Sequence, residues 1–238
     1  MGTLSKLLQY KKEVTIVDPK NGTEMAKVWV RLLGDQDLRD AYQKARIASS
    51  ETRKALRDAD SIMYKDAIAQ LDDVPKENLI AIIVASQENN FQNEASVIVI
   101  REDLPTIEQI SSRPDAPSLE EQEILDARIA ETNKKYEDAV NEYIETRRAE
   151  LQAAIAELPD EEIVVRAKND LSNIQALESF VNELNDWRGY LGTYDDKECK
   201  NRSFDNIEDF KNSASELKAQ IIAAYMELEV STEEIKNS

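Results

Sequence analysis

Apolar residues recur at steps near three and four from Leu125 through Ile129, Tyr136, Val140, Tyr143, Leu151 and Ile155 to Leu158, one stripe along a helix. Between Pro117 and Pro159 there is no Gly or Pro, and Glu, Ala, Arg, Leu, Ile and Lys predominate, so the spacing predicts a single helix over 118–158. At 1.5 Å per residue it is roughly 60 Å long, and it cannot bury its stripe without a partner. The sequence then stops and restarts at Leu158-Pro159-Asp160-Glu161-Glu162, a proline followed by acidic residues suited to a first turn. From Ile163 the stripe resumes through Val164, Ala167, Leu171, Ile174, Leu177, Val181, Leu184, Trp187 and Leu191. So short a connection predicts an antiparallel helical hairpin of 118–158 and 160–190. The fold class expected is mainly α: an elongated helical protein built on that hairpin, with a small N-terminal β-hairpin.

The β-hairpin follows from a change of period near the amino end. Residues 13–17 alternate, with Val14 and Ile16 on one side, and in 25–33 Val28, Val30 and Leu32 alternate with Trp29 and Arg31. Asp18-Pro19-Lys20-Asn21-Gly22 between them supplies turn chemistry. Trp29 is the expected buried anchor. Two strands are marginal in water, so the hairpin needs a helix beneath it or strands from another copy. Gly34 ends the second strand, Asp35 is expected to cap a helix with Asp37 in its first turn, and Leu38, Ala41, Tyr42, Ala45, Ala48, Thr52, Ala55 and Leu56 keep helical spacing. Its other side carries Arg39, Lys44, Arg46, Arg53, Lys54 and Arg57, which we read as a solvated face rather than a nucleic-acid contact. Further helices are expected over 62–71 and from Pro75 onward through 95–100, although Val97-Ile98-Val99-Ile100 also suits a strand. Residues 111–117, with two prolines and two serines, are the linker candidate, dividing 1–110 from 118–238. After a turn around 189–202, Phe204, Ile207 and Phe210 begin an apolar patch, and a terminal helix through Leu217, Ile221, Ala224, Tyr225 and Leu228 ends before Val230, with 232–238 frayed.

Charge narrows the partners. The net charge is −18, which opposes binding to nucleic acid or to an anionic membrane. Residues 1–57 hold 12 Lys and Arg against 7 Asp and Glu, net +5, leaving −23 on 58–238, an asymmetry that would let two ends meet in a homo-oligomer. With one cysteine and no histidine, neither a disulfide framework nor the commonest zinc ligand and general base is present. The adjacent carboxylates, Asp35 with Asp37, Asp58 with Asp60, Asp72 with Asp73 and Asp195 with Asp196, fit caps and turns better than magnesium sites among 48 acidic residues. Cys199, in a polar segment, is expected to be an exposed or half-buried structural thiol. There is no Walker sequence, no GxGxxG, no apolar run long enough for a membrane span and no signal-type segment. A cytoplasmic protein without catalytic residues, metal or cofactor is expected.

The hairpin leading into KVWVRLLGDQDLRDAYQKAR (27–46), the acidic helical middle, the aromatic stretch ESFVNELNDWRGYLGTYDD (178–196) and the ending IIAAYMELEVSTEEIKNS (221–238) together resemble the tail assembly chaperones of tailed phages. The likeness covers nearly the whole chain as an order of features. It implies a non-enzymatic chaperone, in the host cytoplasm, that holds the tape measure protein or another phage tail protein soluble until the tail tube forms. The alternative is an oligomeric structural or scaffolding protein of a phage particle. An acidic DNA mimic is weaker, because Lys134, Lys135, Arg147 and Arg148 interrupt the acidic run.

A partner site is expected where the second hairpin helix outruns its cover, at Leu177, Phe180, Leu184, Trp187, Tyr190 and Leu191. There the first hairpin helix offers only Leu119, Ile124 and Leu125. Aromatics are enriched at interface hot spots. Phe204, Phe210 and Tyr225 are expected to close this end in part, leaving Trp187 and Tyr190 at the rim.

Overall fold

The structure is a computed structural model that describes residues 11–101 and 119–237, with side chains for 11–101 and 121–229. The linker candidate 111–117 and the side chain of Leu119 lie outside the described residues. The fold is mainly α with a small antiparallel sheet. It divides into two compact units, Met1–Ser61 with Asn173–Ser238, and Ile62–Ser172.

In the first unit, β1 (Lys11–Val17) and β2 (Glu24–Arg31) form the expected hairpin, with Val14 opposite Val28 and a register shift between Ile16 and Val17. A third strand, β3 (Thr193–Tyr194), pairs with β2 and was not anticipated. One face of the sheet packs on α7 (Ser215–Asn237): Ile16, Val28 and Val30 join Ile221, Ala224, Tyr225 and Leu228, with Phe210 from the short α6 (Ile207–Lys211). The hairpin's need for support is thus met within the chain, by a helix and a strand. Trp29 is not the buried anchor: it is half-buried on the other face, across from Tyr194, while Val28 and Val30 are in the core. The side-chain amide of Gln220 donates to the Val17 carbonyl at 2.8 Å and accepts from its N–H at 3.0 Å, satisfying the strand end as another strand would.

α1 (Asp35–Ala55) follows β2. Gly34, with extended backbone at ψ 164°, takes the cap position in place of Asp35, which stands with Asp37 in the first turn. The terminal helix does not end before Val230 but continues to Asn237, since no Gly or Pro follows Gly192 to stop it.

In the second unit the helix expected over 62–71 is instead a wide π turn, Tyr64–Ile68, running into a 3₁₀ segment, Ala69–Asp73. Ile68 and Leu71 are both buried in this segment, and Pro75 holds Val74 extended and ends it. α2 (Lys76–Ser86) and α3 (Glu88–Ile98) come next. α3 stops at Ile98 rather than reaching Ile100, with the β-branched Val99 already extended at φ −80°, ψ 110°. The two long helices are α4 (Leu119–Ala156) and α5 (Asp160–Gly192).

Around their connection one cluster unites Leu151, Ile155 and Leu158 with Ile163, Val164, Ala167 and Leu171, as the hairpin requires, but Leu71, Leu79, Ile80 and Ile83 are part of it too. Farther back along α4, Val140, Tyr143 and Ile144 pack on Phe91 and Ala95 of α3. The α4 stripe is therefore covered over that stretch by α3. Arg148 reinforces this contact by donating to both carboxylate oxygens of Glu88, at 3.0 and 2.7 Å.

Candidate functional site at the end of α5

The carboxyl-terminal half of α5 meets α1 through small residues. Ala41 and Ala45 of α1 are fully enclosed there. Leu184 is buried against Ala41 and Ala45, with Phe180, Trp187 and Leu33 around them. Phe180 lies 6.0 Å from the ring of Tyr42, and Thr52 Oγ1 donates to Ser179 Oγ at 2.9 Å.

One turn later the helix becomes aromatic and charged. Trp187 and Tyr190 make an edge-to-face pair at 5.9 Å. A cation lies over each: Lys44 Nζ is 5.9 Å from the Trp187 ring and Arg202 Cζ 5.1 Å from that of Tyr190. Trp187 Nε1 donates to Glu183 Oε1 at 2.8 Å, and Lys211 Nζ donates to both oxygens of Glu183 at 3.0 and 2.9 Å. Burial alone would lower the Lys211 amine, but the hydrogen bond and charge of Glu183 outweigh it and hold the amine above the ordinary lysine range. Asp186, 3.6 Å from Lys218, is pushed up by burial against the pull of Lys218 and Lys211.

Arg188 is buried, its Nη2 donating to Glu229 Oε1 at 2.8 Å and its guanidinium lying 5.4 Å over the Tyr225 ring. The Tyr225 hydroxyl accepts from the Leu33 N–H at 3.2 Å, and burial raises its pKa. Two glycines make this packing feasible. A Cβ on Gly189 would fall 2.1 Å from Phe210 Cζ, and one on Gly192 would fall 2.9 Å from the Arg31 carbonyl oxygen and 3.3 Å from the Tyr225 ring.

The six expected contact residues are therefore not equivalent. Leu184 and Leu191 are core, at 6% and 7% exposure. Phe180, Trp187 and Tyr190 are half-buried, and Leu177 is 53% exposed. The expected closers are near: Phe210 on Gly189, Tyr225 on Gly192, and Tyr190 packed against the core that holds Phe204. The stripe of Phe180, Leu184 and Trp187, however, is covered by α1, a partner that sequence reasoning missed. It also missed Val181, 43% exposed and one turn from Leu177, for which the i, i+4 spacing was the available signal.

The carboxylate pairs serve turns, helix ends and ion pairs. Asp58 accepts from the Asp60 N–H at 3.1 Å, Asp72 pairs with Lys168 at 2.7 Å, and Asp196 accepts from the N–H groups of Lys200 and Asn201, chiefly the latter, which lowers its pKa. Among the described residues no group of three or more Cys, Asp or Glu is placed to hold a metal ion, and no helix is long and apolar enough to cross a membrane. Cys199 is buried rather than exposed or half-buried, in a left-handed turn at φ 54°, with Sγ 3.8 Å from the Lys197 carbonyl oxygen. No protein-family model, curated protein or solved structure matches the chain.

Proposed function

We propose that this chain is a non-enzymatic binding protein that holds a helical client, in the manner of a phage tail assembly chaperone with the tape measure protein as client. One observation carries the reading. Leu177 stands two turns before the buried Leu184 on the same side of α5, yet Leu177 is 53% exposed and its neighbour Val181 43%. The apolar stripe of α5 thus continues past its own cover, and an amphipathic client helix can complete it. Phe180 and Tyr42, in contact beside it, supply an aromatic border. Such holding belongs in the cytoplasm, the host's if the chain is phage-encoded.

Co-expression with a fragment of a tape measure protein tests the reading. The fragment should stay soluble with the native chain and precipitate with the double variant Leu177→Asp, Val181→Asp, which should remain folded because about half of each side chain is already exposed. Equal client solubility with the native chain, the variant and no partner at all would sink the reading.

A further inference from the structure

The outer side of α1 carries Arg39, Arg46 and Arg53 at seven-residue intervals, all exposed. Seven residues are close to two turns, so the three lie on one line with a rise of about 10.5 Å between neighbours. The inner side of the helix holds the enclosed Ala41 and Ala45. Elsewhere arginines grip carboxylates: Arg148 holds Glu88, Arg147 holds Glu150 and Arg188 holds Glu229. Arg39, Arg46 and Arg53 have no ion pair among the described residues.

The matching line is in the same sequence. α4 carries Glu131, Asp138 and Glu145, also seven apart and all exposed, and Ile124, 64% exposed, extends the line by one more interval. On a straight helix such a line drifts about 20° per interval, and two helices crossing at about 20° follow that drift. An arginine fork meets a carboxylate through two parallel hydrogen bonds. Glu131 and Glu145 already touch Lys135 and Arg148 within α4, but these are exposed pairs one turn apart, weak enough to exchange.

We infer that α1 of one copy docks along α4 of a second copy, with Arg39, Arg46 and Arg53 facing Glu131, Asp138 and Glu145. Whichever way the helices run, Arg46 meets Asp138. A nucleic acid would offer phosphates to the same arginines, but the carboxylates of α4 repeat at the same seven-residue interval as the arginines, a match that favours the second copy. Client capture through Leu177 and Val181 uses other residues, so either activity can be lost alone.

Sedimentation equilibrium of the full chain over a concentration and salt series tests the inference. At about 0.15 M salt, where the Debye length is about 8 Å, the mass should rise toward two chains with concentration, and at about 1 M it should fall back. The triple reversals R39E/R46E/R53E and E131K/D138K/E145K should each associate at least tenfold more weakly than the native chain. Their equimolar mixture should associate again, because one contact is then native and the other is restored with its signs exchanged. If a triple reversal does not fold, as judged by circular dichroism, R46E and D138K replace the two sets. A native mass of one chain at every concentration overturns the inference, as does a mixture that stays apart. Binding of a labelled DNA duplex that R39E/R46E/R53E abolishes would reassign the line to nucleic acid.

Discussion

Replacing Gly189 by alanine sets two effects of known size against each other. In an open helix alanine is more favourable than glycine by about 1 kcal/mol. At this position the added Cβ falls 2.1 Å from Phe210 Cζ and 2.7 Å from both Cε atoms, so reaching a normal carbon contact means a retreat of about 1.5 Å. Phe210 has nowhere to go: it is fully buried and held edge-on by Phe204 at 5.0 Å. Overpacking of this kind costs about 1–3 kcal/mol and occasionally more, and a displacement this large belongs at the upper end. Gly189→Ala should therefore destabilise by about 2 kcal/mol net, measured by urea unfolding. Phe210→Ala alone should cost about 3–5 kcal/mol. In the Phe210→Ala background the clash is gone, so Gly189→Ala should change sign and stabilise by up to about 1 kcal/mol. A Gly189→Ala protein as stable as the native one, or two costs that simply add, would refute the packing of Phe210 on this glycine.

Three further outcomes follow from the same region. Trp187→Ala should cost about 2 kcal/mol, less than the 3–5 of a fully enclosed indole, because the ring is half-buried; unfolding and client binding measured on one sample show whether the residue also anchors a partner, and a variant unchanged in both would show that the site is elsewhere. Tyr225→Phe keeps the ring but removes the acceptor of the Leu33 N–H, which should cost about 1–2 kcal/mol, and equal stability would mean that this bond contributes nothing. Lys211, whose folded-state pKa is raised, contributes stability that is complete below its unfolded pKa and lost as pH rises through the folded value. The native chain should thus lose stability in the alkaline range more steeply than Glu183→Gln, in denaturant melts at matched ionic strength, and parallel curves would remove Glu183 as the cause.

Periodicity revealed the elements whose burial is decided locally. The helical spacing of α4 and α5 and the alternation of β1 and β2 need only residues within one element, and these elements stand as expected apart from their ends, although Leu177 and Val181 of the α5 stripe are exposed. Trp29 shows where the local argument fails. Its alternation with Val28 and Val30 is plain in the sequence, but which of the two faces meets the core depends on Ile221 and Tyr225, roughly 190 residues away, and size pointed to the wrong face. The cover over Phe180, Leu184 and Trp187 was illegible for a similar reason. Ala41 and Ala45 look like helix formers, and only the fold reveals them as the surface on which Leu184 rests.

The glycines of WRGYLG make a different case, because they did carry a signal. Two glycines three apart at the end of a helix lower its propensity at both positions, and a sequence keeps such a cost where a side chain would collide. Reading them only as a turn at 189–202 missed that α5 runs on to Gly192, so that Phe210 seats on Gly189 while the Arg31 carbonyl and Tyr225 approach Gly192. The helix thereby delivers Thr193 and Tyr194 directly to the open edge of β2, with Thr193 Oγ1 donating to the Gly189 carbonyl at 2.6 Å. The third strand thus depends on one missing side chain: a Cβ on Gly192 would press on the Arg31 carbonyl and force β2 and the helix apart.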